Sequence, residues 1–138
     1  MRSLRVIFLG AIASGAIAGS AAAEEPYLYD LLKQPAFHAA WDAMLKGEKN
    51  RPAWIVTFGR TYDGVTDRVK TVLVNGDPDH LGWVCKPHDC GDNQLYVLFS
   101  PQGRQAWAEL VTANAPPRWF GKPDEQVKTA LEAAAKDH

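Results

Sequence analysis

Cysteine is nearly missing from this chain. Its 138 residues hold two, Cys85 and Cys90, separated by four positions. A thiol–disulfide enzyme of the usual kind spaces its cysteines two residues apart, so that chemistry is excluded. No Gly-rich phosphate loop, G-x-S-x-G elbow or H-E-x-x-H zinc motif occurs. Charge of one sign is lacking too: 15 basic residues face 16 acidic ones, a balance that argues against a nucleic-acid partner. No apolar run reaches the roughly 20 residues of a membrane-spanning helix. Internal repeats, linkers and low-complexity tracts are absent. No cofactor is implied.

The N-terminus has the order of a secretory signal. Arg2 and Arg5 precede an apolar run from Val6 to about Ala18, and Ala21-Ala22-Ala23 supplies small residues for cleavage. A retained membrane anchor is the alternative, although the apolar run is short for one. No cysteine lies near the cut, which argues against a lipoprotein. Residues 1–23 therefore read as a signal peptide and 24–138 as a single exported domain, with no membrane association of its own. Losing Arg2 and Arg5 takes the formal charge from −1 to −3. A mildly acidic mature chain favours a cationic partner.

Along that domain, residues 24–34 form an apolar lead-in. A helix is expected from Pro35 to Lys46, with proline suited to its first turn and Gly47 to its stop. Phe37, Ala40, Trp41, Met44 and Leu45 make its buried stripe. Alternation predicts strands over 53–58, 65–74, about 81–85 and 94–99, with turns at Tyr62-Asp63-Gly64 and Asn75-Gly76-Asp77-Pro78-Asp79. A helix is expected over 100–113, an extended piece at Arg118-Trp119-Phe120, and a last helix opening at Pro123-Asp124-Glu125. Short connections imply antiparallel pairing. The expected class is α+β: a meander of about five strands, packed on both faces by helices from the N- and C-terminal segments in three layers.

Chemistry concentrates in Cys85-Lys86-Pro87-His88-Asp89-Cys90. In an oxidising compartment two thiols this close should pair. The resulting ring presents His88, with two ring nitrogens, and Asp89, an acceptor beside it. Pro87 fixes its own φ and pushes Lys86 toward extended geometry. A tip held in one shape loses little entropy on docking. Three readings stand open on the residues alone. The ring is a recognition tip that enters a cleft, an ordinary disulfide-tied turn, or a metal site of Cys85, His88 and Cys90, three ligands where structural zinc takes four. His38 and His80 read as solvated and turn histidines, and Asp63, Asp67, Asp77 and Asp79 as loop acids.

The same hexapeptide, followed by Asn93, resembles the signature loop of the Ivy family, the bacterial periplasmic inhibitors of vertebrate lysozyme. The likeness extends over the mature chain and includes Trp119-Phe120-Gly121-Lys122-Pro123. It implies a periplasmic protein without catalytic residues of its own that binds c-type lysozyme. His88 is then the key inhibitory residue and hydrogen-bonds the two catalytic carboxyls of the target. Cys85 and Cys90 close the loop, Lys86 and Pro87 shape its approach, and Asp89 holds the tip or bonds to the cleft wall. The resemblance further implies the bacterium's own lytic transglycosylases as alternative targets, and a homodimer as one assembly state. The reading from a different class is a small periplasmic hydrolase or metal-dependent enzyme using His88.

Overall fold

The computed structural model of the chain describes Gly15 and residues 18–138; most of the signal-peptide reading over 1–23 lies outside the described residues. The lead-in closes into a short helix, α1 (Leu28–Leu32), with Leu28, Leu31 and Leu32 buried. Helix α2 (Pro35–Leu45) begins at the proline and buries all five residues of the expected stripe. It gives way to Gly47 at φ +79°, a conformation that glycine adopts without a Cβ penalty.

The next segment corrects an expectation. Residues 53–61 are not a strand but a helix, α3 (Ala53–Thr61), flanked by Pro52 and ended by Tyr62 in the left-handed region. Its buried residues, Ile55, Phe58 and Gly59, fall at helical spacing. Tertiary packing decides between the two periods a short apolar run can satisfy. Gly59 is pressed against the Trp41 indole of α2, where a Cβ would collide with the ring.

The expected long strand over 65–74 divides into β1 (Val65–Thr66) and β2 (Lys70–Val74). Between them the backbone turns to serve the lead-in: Leu28 N–H donates to Asp67 O (3.3 Å) and Val69 N–H to Pro26 O (2.8 Å). After Asn75-Gly76 the chain returns as β3 (Asp77–Cys85), then β4 (Asn93–Phe99), β5 (Ala106–Thr112) and β6 (Arg118–Phe120). All pairs are antiparallel. The order is β1-β3-β4-β5-β6, with β2 beside the opening half of β3. Six strands thus replace the expected five.

β5 is the second correction, for residues 100–113 were expected to be helical. Ala106, Trp107, Leu110 and Val111 fit a helical stripe, but Ala106, Ala108 and Leu110 fit alternation equally well. Ser100 accepts from the N–H groups of Arg104 and Gln105 (both 3.0 Å), and Gly103 takes φ +67°, so the chain turns there instead of winding. Seven registered pairs with β4 and three with β6 satisfy both edges of the strand.

The last expected helix is present as α4 (Glu125–Asp137). Asp124 caps it by accepting from Val127 N–H (2.9 Å). Helices α1–α3 bury one sheet face around Trp41, Phe58, Phe99 and Phe120. Helix α4 covers the other through Val127 and Leu131, against Tyr96 and Leu98. The α+β, three-layer expectation holds.

Candidate functional site

The loop joins β3 to β4 at one end of the sheet. Its base is fixed by the ladder: Cys85 pairs with Gln94, is fully buried, and Lys86 N–H donates to Asn93 O (3.0 Å). Cys85 and Cys90 are joined by a disulfide across a Cα separation of 4.8 Å. Neither sulfur is free as a metal ligand. Among the described residues no cluster of three or more His, Cys, Asp or Glu is arranged to hold a metal ion.

The tip is a β-turn. Asp89 N–H donates to Lys86 O (3.1 Å), which places Pro87 and His88 at the two central positions. His88 has φ +63°. A proline followed by a positive φ is the pattern of a type II turn, where glycine is the usual second residue. A residue with a Cβ in this region carries a penalty of about 1–2 kcal/mol. The ring and its hydrogen bonds therefore hold a histidine in a conformation that a free chain would rarely visit.

Asp89 is the internal brace. Its Oδ2 accepts from Asn93 Nδ2 (2.9 Å) and from Lys86 Nζ (3.1 Å), and its carbonyl accepts from Asn93 N–H (3.2 Å). Lys86 and Asp89 thus neutralise each other at the shoulder of the loop. His88 is exposed and makes no hydrogen bond or ion pair among the described residues. Every other polar side chain of the hexapeptide is engaged inward, and the imidazole alone faces out.

The other histidines raised by the sequence serve the fold. His80 Nε2 lies 3.1 Å from Pro101 O and its ring packs edge-on to Phe37. His38 Nδ1 lies 3.2 Å from Leu32 O. Neither meets His88. Of the acids expected in loops, Asp77 and Asp79 lie instead on β3, paired with Val74 and Val72; Asp79 is buried, and burial followed by the charge of Asp77 pushes its carboxyl above the ordinary range.

Glu109 escaped the sequence reading because its segment was assigned to a helix. It is 3 % exposed on β5, in register with Tyr96 and Trp119, and its Oε2 has no hydrogen-bond partner. Burial raises its pKa, Glu132 adds to the rise and Lys136 opposes it. Strand alternation would have placed it inward. It lies beneath α4, not at the loop.

The loop is convex. A cleft of about 370 Å³ between β2, β3 and the end of α4, and one of about 660 Å³ between α2 and α3, contain no loop residue. Small-molecule sites are concave, and neither cleft includes the exposed imidazole of His88.

The family described as inhibitor of vertebrate lysozyme (Ivy) matches residues 36–137, which span the loop. A protein of Pseudomonas aeruginosa named inhibitor of vertebrate lysozyme is 34 % identical, covering 94 % of this chain and 90 % of its own length. One of the same name from Escherichia coli K12 is 33 % identical over 68 % of this chain and 57 % of its own length. An uncharacterized protein of Yersinia pestis is 32 % identical over 80 % of this chain and 77 % of its own. With a match across most of the described fold and its exposed loop, the chain belongs to the inhibitor of vertebrate lysozyme (Ivy) family.

Proposed function

We propose that the chain is an exported, periplasmic inhibitor of c-type lysozyme, not an enzyme, and that its closed loop carries His88 into the catalytic cleft of the target. One observation carries the reading: in a disulfide-closed hexapeptide whose Lys86 and Asp89 side chains bond to one another and to Asn93, the exposed imidazole of His88 is the one polar side chain left without a partner. A retaining glycosidase of this kind holds two carboxyls about 5 Å apart. Environment keeps one protonated and the other ionised. Imidazole presents a donor nitrogen and an acceptor nitrogen on opposite edges of a small ring. The N–H donates to the carboxylate and the other ring nitrogen accepts a hydrogen bond from the O–H of the acid, so one side chain satisfies both.

Rigidity supports this reading energetically. Closing the six-residue ring removes about 2 kcal/mol of unfolded-state freedom in the chain-entropy treatment, and a preformed tip loses little more on docking. The mature charge of −3 speeds encounter with a cationic target, an effect that salt should diminish. The test is lysis of cell walls by a c-type lysozyme at rising inhibitor concentration. The wild-type chain should abolish lysis near a one-to-one ratio, and His88→Ala should lose at least tenfold in potency (two lost hydrogen bonds, one of them to an ionised carboxylate). Unchanged lysis with wild-type protein ends the reading. A parallel assay on a lytic transglycosylase tells whether the same tip serves that second class of target.

A further inference from the structure

The loop does not stand alone at its end of the sheet. β1 is only two residues long, and both pair with the last two of β3: Val65 with Cys85 and Thr66 with Val84. Val65 therefore lies one strand spacing, about 5 Å, from an anchor of the ring. It is 56 % exposed, and among the described residues only Leu73, at 78 %, is a comparably exposed large apolar side chain. Leu73 pairs with Pro78, seven residues and roughly 23 Å back along β3 from Cys85. One of two such residues thus sits at the foot of the loop, and the other far from it.

The arm that carries Val65 is pinned from below. A Cβ on Gly64 would come within 2.9 Å of Phe58 and 3.0 Å of Val84, so the backbone there lies directly on the core. Tyr62, before it, is held at φ +59° with its N–H on Phe58 O (2.8 Å). Val65 is exposed on a fixed arm, not on a loose one. Two acidic side chains lie next to these segments in the chain. Asp63 beside β1 and Asp92 at the far shoulder of the loop are exposed and form no ion pair among the described residues, while Lys86 is already matched by Asp89. The Asp92 carbonyl accepts from Ala113 N–H (2.9 Å), which ties that shoulder to the end of β5.

We infer that β1 is a second foothold of the inhibitory surface: Val65 rests on an apolar lip of the cleft that receives the loop, and Asp63 and Asp92 face cationic side chains on either side of it. This rests on the inhibitory reading of His88 and adds a place on the fold that neither the hexapeptide nor its ring contains. An apolar contact continuous with a polar, hydrogen-bonding tip is the ordinary anatomy of a protein interface.

The test titrates a c-type lysozyme with the full chain and with four variants, each checked by thermal melting for an intact fold. Val65→Asp should weaken binding about tenfold or more, and Val65→Thr, of the same shape and strand preference, several-fold. Leu73→Asp, the distant control of equal charge change, should stay within twofold of wild type. If both Val65 variants bind within twofold of wild type while His88→Ala loses binding, the foothold is wrong and the loop reading survives. If Leu73→Asp weakens binding as much as Val65→Asp, the effect is general charge and the foothold is equally wrong. If wild type does not bind, both readings fall together.

Discussion

Replacing His88 by glycine separates the two things the residue does. In the free protein its side chain is exposed and makes no hydrogen bond or ion pair among the described residues, so little stability is lost on removing it. Its backbone, at φ +63°, carries the left-handed penalty of about 1–2 kcal/mol, which glycine does not carry. Against that, glycine loses about 0.5–1 kcal/mol more backbone entropy on folding. The disulfide persists in the unfolded chain and restricts the ring there too, which reduces this second figure. Relief of strain wins. His88→Gly should be more stable than wild type by about 0.5–1 kcal/mol, a rise in Tm of about 2–5 °C for a domain of this size. His88→Ala keeps the Cβ and should change stability by less than about 0.5 kcal/mol. Both should lose inhibition. The assays are urea unfolding, read at the midpoint with an unchanged slope, and cell-wall lysis. If His88→Gly is no more stable than His88→Ala, the turn is unstrained and the claim of an imposed conformation is wrong. If either variant inhibits at full strength, the imidazole is not the inhibitory group.

Three further outcomes follow from particular contacts. Replacing Cys85 and Cys90 together by Ala should cost about 2 kcal/mol of stability and weaken lysozyme binding through a looser tip; full-strength binding by that variant would show that the covalent ring is unnecessary. Gly59→Ala tests packing against propensity: alanine is the better helix former by about 1 kcal/mol, yet its Cβ meets the buried Trp41 ring, and overpacking should win with a net loss of about 1–2 kcal/mol in chemical denaturation. A gain would mean that α3 sits less tightly on α2 than described. The buried Glu109 predicts a pH signature. Its folded pKa lies above the ordinary 4.5, through burial first and Glu132 second. Below that ordinary value both states hold the proton and nothing is lost; as pH rises through the window up to the folded value, the unfolded chain ionises first and stability falls. Glu109→Gln should remove that fall, so the variant gains on wild type in thermal melts between pH 4 and 7. Parallel pH profiles would rule out this origin.

Local chemistry made much of the molecule legible. Pro35 and Gly47 bound α2 because a fixed φ suits one helix end and a positive φ the other. Asn75-Gly76 marks the β2–β3 hairpin for the same kind of reason, and Asp124 caps α4 with its own side chain. The loop was readable residue by residue: two cysteines at ring-forming distance, a proline to set the turn, and one histidine between them. What the sequence could not decide were the segments whose apolar pattern fits two periods at once. Ala53–Phe58 alternates like a strand, but Gly59 must lie against Trp41, and that demands a helix. Ala106–Val111 has a helical stripe, but strands on both sides of it offered seven and three registered pairs to a backbone that Gly103 had already turned. In each case the deciding partner lies outside the segment, on a neighbouring element of the chain. The inward burial of Glu109 and the exposure of Val65 at the foot of the ring follow from the same pairings. The residues by themselves determined which groups the tip would present; only the assembled sheet decided what braces it and what stands beside it, because strand register is a property of two segments and is written in neither alone.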